Sequence, residues 1–214
     1  MSLLIGYLDD EYDYESNIKR NLKKHDIELV TLKDIDDVQA VSDLVNVIMD
    51  RGLQCLFVDY DLLKLKSKIY GTHVIKDIND IIPSFPCFLL THYAESGISE
   101  KVVPSTFIQD KEIFQEDYDS EEFVAFIDKI KNSIECFTKR LEIDLEDYKK
   151  LFVKRKKEDL IADEELKFHT LYKVLKAYQY VDELPDYFLY KETEKKLDSM
   201  LELLDDLKNS LDKR

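Results

Sequence analysis

The chain has 214 residues, room for one large domain or two small ones, and 44% of them are hydrophobic, enough for a real core. Acids outnumber bases 46 to 31, and the resulting net charge of −15 repels nucleic acid and anionic membranes. No run of about 18 apolar residues is present, so no segment is expected to span a bilayer. The opening stretch MSLLIGYLDD has no basic region and reaches acid at Asp9, so no secretory leader is expected. Two of the three cysteines, Cys55 and Cys87, sit inside apolar runs, where a free thiol behaves as a small hydrophobe. Together with Cys136 they make an odd count without a CxxC pair, which argues against a disulfide framework or a zinc site. A cytoplasmic location is the expectation.

In chain order, LLIGYL (3–8), IELVTL (27–32), LQCLFV (53–58), CFLLTH (87–92) and STFIQD (105–110) read as five strands. Between them lie segments of helical period. Ile18 and Leu22 mark a weak stripe over 13–25. Val38, Val41, Val45 and Ile48 make a clearer one, and Val74, Ile78, Ile81 and Ile82 a third. Gly52 stands where a glycine C-cap would close the second helix. YAESGISEKVVP leaves room for only a short fourth helix. Near-continuous apolar strands alternating with helices predict an α/β domain with a parallel sheet covered on both faces.

The texture changes at about Ser120. No glycine follows Gly97, and Pro185 is the only later proline. Phe123, Phe126, Ile127, Ile130, Ile134, Phe137 and Leu141 form one helical stripe, and Tyr148, Leu151 and Phe152 extend it. Leu166 to Tyr180 reads as another helix. Beyond Pro185, Leu197, Met200, Leu204, Leu207 and Leu211 form a short heptad seam suited to a facing helix. The expected organisation is therefore an α/β domain over 1–119 and an all-α domain over 120–214. Net charge divides unequally, −11 and −4, so the acid excess is concentrated in the first part.

In an open parallel sheet, function gathers at the carboxyl ends of the strands. The first strand ends at Asp9 and Asp10, the third at Asp59, the fourth at Thr91 and the fifth at Lys111. Clustered carboxylates repel each other and need a cation. A hard oxygen site of this kind suits Mg²⁺. An aspartate there can act as nucleophile and form an acyl phosphate, while the hydroxyl and ammonium hold phosphoryl oxygens.

Over residues 4–119 the chain resembles the receiver domain of two-component response regulators. The order and spacing carry the resemblance: Asp9-Asp10, 49 residues to Asp59, 32 to Thr91 and 20 to Lys111, each ending a hydrophobic strand. The resemblance implies a flavodoxin-like, doubly wound sheet of five parallel strands. It implies Asp59 as phosphoacceptor and Mg²⁺ held by Asp10, Asp59 and the backbone carbonyl of Asp61, with Asp9 acting mainly through water. Thr91 and Lys111 would bind the phosphoryl group. A histidine kinase or another phosphodonor would be the upstream partner, and the protein would be a signalling component in a phosphorelay, not an enzyme with turnover. Three positions depart from the family pattern. His92 replaces a small residue after Thr91, Glu112 replaces a proline after Lys111, and Ile108 replaces the aromatic switch.

Other readings use the same residues. A pseudo-receiver would keep the fold as a docking module without phosphorylation. A haloacid-dehalogenase-like phosphatase would use Asp59 and Asp61 with Thr91, Lys111 and Asp117 or Asp119, but leaves Asp9-Asp10 unexplained. His169 faintly resembles a phosphotransfer histidine; a half-buried bundle residue is the simpler expectation. The basic run KKLFVKRKKEDL (149–160) is expected to be a solvated helix face, and no helix-turn-helix pattern points to DNA. The helical part is expected to contact a partner protein or a second copy of the chain, with the Leu197–Leu211 seam as first choice.

Overall fold

Residues 2–33, 35, 41–92, 94–115 and 117–184 are described by the structure, a computed structural model. Five strands pair in parallel: β1 (Leu3–Leu8), β2 (Ile27–Thr31), β3 (Cys55–Asp59), β6 (Cys87–Thr91) and β7 (Ile108–Asp110), in the order β2-β1-β3-β6-β7. Helices α1 (Glu15–Lys23), α2 (Val41–Asp50), α3 (Gly71–Ile81) and the short α4 (Ala94–Ser99) connect them. The protein is thus α/β with an all-parallel sheet. Val38 and the segment from Pro185 through the Leu197–Leu211 seam lie outside the described residues.

The period of two along each strand divides the core. Leu8, Leu56, Val58 and Leu89 face α2 and α3, meeting Leu44, Val45, Ile48, Val74 and Ile78. Ile5, Tyr7, Phe57, Phe88 and Leu90 face the other way, against Ile18 and Leu22 of α1. Both faces are covered, so the strands read as near-continuous apolar runs. Gly52 does close α2: its φ is +63°, and Leu53 N–H reaches back to Ile48 O at 2.9 Å, as a Schellman end requires.

The fifth strand is shorter than the sequence predicts. Phe107 N–H closes on Pro104 O at 2.8 Å, so Ser105–Phe107 coil into a 3-10 turn and only three residues join the sheet edge. Two further short strands, β4 (Asp61–Leu62) and β5 (Ile69–Tyr70), pair antiparallel as a hairpin between Asp59 and α3.

Helix α5 (Glu121–Lys157) runs for 37 residues, about 55 Å at the helical rise. Ser120 caps it by accepting Phe123 N–H at 3.2 Å. Glu121 and Glu122 open it and Lys154 to Lys157 close it, both matching the helix dipole. The helix outruns the sheet and has two tasks. Phe123, Phe126, Ile127, Ile130 and Ile134 share the buried cluster of Tyr7, Phe57 and Phe88. The change of texture at Ser120 therefore marks a helix start inside the α/β core. Farther on, Tyr148 packs with Phe168, Leu171, Tyr172 and Leu175 of α6 (Ala162–Ala177) in a smaller cluster of its own. Lys154–Glu164 and Lys167–Asp147, both at 2.7 Å, and the buried Arg155 with Glu165 fix the hairpin's register. His169 is half-buried and lies 3.4 Å from Glu165 on the same helix. Among the described residues, no helix is long and apolar enough to cross a membrane.

Phe126 is 2% exposed and meets the rings of Phe57, Phe88 and Phe114. Phe126→Ala should lower the unfolding free energy by about 3–5 kcal/mol in urea denaturation. A loss below about 1 kcal/mol, the size of a surface change, would detach α5 from the sheet.

Candidate functional site

The carboxyl ends of β1, β3, β6 and β7 meet at one edge, around a cavity of about 300 Å³. Asp9, Asp10, Asp59, Asp61, Thr91 and Lys111 all line it, so the strand-end residues read from the sequence are brought together, with Asp61 among them. One carboxylate oxygen from each of Asp9, Asp10 and Asp59 lies within 4.8 Å of the others. Those oxygens are hard donors and fit a small divalent cation. Thr91 closes β6 and is 1% exposed.

Lys111 is the counter-charge. It is 5% exposed, and its ammonium lies 2.7 Å from Asp9 Oδ2 and 2.8 Å from Asp59 Oδ1. Burial alone would push the lysine down. The two carboxylates outweigh it and hold the ammonium above its ordinary value. Asp59 is pushed up to about 6, chiefly by burial; Lys111 offsets part of this and the charge of Asp9 adds to it.

Asp59 is held by backbone as well as by charge. Asp61 N–H approaches Asp59 Oδ2 at 3.3 Å, and Gly71 N–H bonds Tyr60 O at 2.8 Å. Gly71 is required by close approach, since a Cβ there would stand 2.0 Å from the Asp59 carbonyl oxygen. The hairpin thus ties the start of α3 to the end of β3. Asp61 itself sits at the rim, its carboxylate taking Leu63 N–H at 3.1 Å. Asp10 takes Lys64 N–H at 2.8 Å, again from the hairpin.

Three residues that sequence reasoning passed over, Tyr7, Tyr14 and Lys64, belong here, and His92, named from the sequence as a departure beside Thr91, joins them. Tyr7 is fully buried and donates its hydroxyl to Asp9 Oδ2; burial and the Asp9 charge keep that proton on the phenol. Its position two residues before Asp9 on a strand was the available signal, because alternation puts both on one face. Tyr14 and His92 meet ring to ring at 4.8 Å beside the cavity, and the Lys111 ammonium lies 5.9 Å from the Tyr14 ring. Lys64 reaches the site through the hairpin, which no sequence pattern announced. Asp117 and Asp119, the later acids of the phosphatase scheme, are exposed ahead of α5 and do not line the cavity. Ile108 is buried on β7, and Lys111 and Glu112 open a 3-10 turn.

No protein-family model matches this sequence, and no curated protein matches it either.

The Asp59 shift has a consequence for stability. Its carboxyl is near 6 when folded and near 3.8 as an ordinary aspartate, so the folded state holds the proton more tightly. The stability it contributes is full below pH 3.8 and is lost as pH rises through about 6. In chelator, Asp59→Asn should gain on wild type by about 2 kcal/mol between pH 4 and pH 7.5, at roughly 1.4 kcal/mol per pKa unit. Urea midpoints at the two pH values check this, and a constant difference would contradict it.

Proposed function

We propose that the protein is a phosphoacceptor signalling protein, an atypical response regulator with a receiver-like, flavodoxin-like α/β domain and a helical extension. The observation that carries this reading is the buried Lys111 bridging Asp9 and Asp59 beside Asp10 and Thr91, at the carboxyl edge of a parallel sheet. This is the set of groups that phosphoryl transfer to a carboxylate requires: a rigid nucleophile, a cation site and donors for the transferred oxygens.

In this reading Asp59 attacks the phosphorus of a small acyl phosphate or a phosphohistidine. A new bond forms between Asp59 oxygen and phosphorus, and the bond to the donor breaks, its electron pair leaving with the donor. The Asp59 carboxylate is ionised at neutral pH, and the same burial that raises its pKa strips the water that would otherwise blunt it. Lys111 moves from the free carboxylate to a phosphoryl oxygen, and the Thr91 hydroxyl donates to another. Asp10 and Asp59, with the carbonyl of Asp61, would hold Mg²⁺, which supplies charge neutralisation for the phosphoryl oxygens.

The helical hairpin would serve as output, by contact with a partner protein or a second copy. Its exposed Ile143, Val153, Ile161 and Leu166 suit that role. A second reading, a docking module of the same fold without phosphorylation, draws on the Tyr14–His92 ring pair that lines the cavity.

Incubation with Mg²⁺ and acetyl phosphate, followed by intact-mass measurement, distinguishes the two. Wild type and Asp61→Asn should carry a labile phosphoryl adduct, and Asp59→Asn should not. An adduct on Asp59→Asn would move the nucleophile elsewhere, and none on wild type would favour the docking module.

A further inference from the structure

Asp9 has the fullest set of partners at this edge. Its Oδ2 accepts the Tyr7 hydroxyl and the Lys111 ammonium, the latter at 2.7 Å. Its Oδ1 accepts Glu11 N–H at 2.9 Å and, at a longer 3.4 Å, Tyr12 N–H. A carboxylate offers about four lone-pair directions, so a cation could gain an Asp9 oxygen only by displacing a donor. Asp10 differs: a single backbone donor, Lys64 N–H, is seen on its Oδ2.

Two of the Asp9 donors are backbone groups fixed by the turn after β1, and a third, Lys111, is shared with Asp59. Tyr7 is the side-chain donor that bonds Asp9 without also bonding Asp59. Its ring is fully buried, lies in the sheet cluster facing α1 and α5, and meets Tyr12 edge-on at 5.6 Å. The hydroxyl therefore cannot turn to water, and it keeps Oδ2 beside Lys111.

We propose that Tyr7 is a positioning residue that sets the cation preference of the site: by pinning Asp9 to Lys111 it withholds a third carboxylate from a cation carried by Asp10 and Asp59. This rests on the cation-dependent reading given above. Two carboxylates and a carbonyl, completed by water, suit Mg²⁺, which gives up its waters reluctantly. Ca²⁺ seeks about six to eight oxygens and gains more from an extra carboxylate. Removing the Tyr7 hydroxyl frees an Asp9 lone pair while leaving the ring in the core.

The test is calorimetric titration of the full-length protein with MgCl₂ alone and with CaCl₂ alone. Wild type should favour Mg²⁺. Tyr7→Phe should shift the ratio of affinities toward Ca²⁺ by about tenfold, the lower end of what outer-shell changes do to metal affinity. An unchanged ratio in Tyr7→Phe, or a wild type that favours Ca²⁺, overturns this inference and leaves the site standing. A wild type that takes up neither ion overturns the site reading and the inference with it. Should Tyr7→Phe fail to fold by circular dichroism, Asp9→Asn decides. An Asp9 outside the coordination shell leaves the ratio at its wild-type value, and a shift toward Mg²⁺ on losing that carboxylate overturns the inference.

Discussion

The structure turns on one buried ammonium. Lys111 sits between Asp9 and Asp59 with almost no access to water. Desolvating three charged groups together is costly, and the arrangement holds only because each charge has partners within hydrogen-bond reach. Removing one member of such a set typically costs about 3–5 kcal/mol, because a buried charge is left behind. The balance is also incomplete. One ammonium faces two buried carboxylates, with Asp10 next to them, so the edge retains a negative excess that a divalent cation would meet.

The fold supplies the rigidity that this balance needs. Parallel pairing brings the ends of β1, β3 and β6 into register, with Leu8 opposite Val58 and Asp59 opposite Leu90. Aromatic packing beneath, with Phe57 at 6.1–6.2 Å from Phe88, Phe114 and Phe126, fixes the strand that carries Asp59. The same α5 that supplies Phe126 continues into the α6 hairpin, and Tyr178, just beyond α6, returns to Phe85 and Phe137 under the opposite face of the sheet. The helical extension is thus joined to the α/β core through the continuous α5 and also through Val174 and Tyr178, which pack on its α2–α3 side.

Much of this was legible in the residues. Four apolar runs marked β1, β2, β3 and β6 because strands buried on both faces leave little else to read, and the charged residues after them marked the site edge. Gly52 announced the end of α2 by being a glycine just before β3, where the chain takes a left-handed φ. Other features were not legible, for physical reasons. STF at 105–107 has strand composition, yet Pro104 O captures Phe107 N–H and turns it into a coil. The hairpin of β4 and β5 rests on two-residue strands, too short for any period to show. Tyr7 looked like core because it is core; its hydroxyl mattered only once a strand end two residues away proved to carry a buried carboxylate. The stripe of α5 gave the helix but not its division of labour, since Phe126 and Tyr148 carry the same signal while burying against different partners.

Beryllofluoride mimics a phosphoryl group on a carboxylate and needs both the cation and the nucleophile, so ¹⁹F NMR of the protein in its presence addresses the central claim directly. Bound resonances that appear only with Mg²⁺ and vanish in Asp59→Asn are what a cation-dependent phosphoacceptor site predicts. Free beryllofluoride alone in the wild-type spectrum, or bound resonances that survive Asp59→Asn, would contradict it.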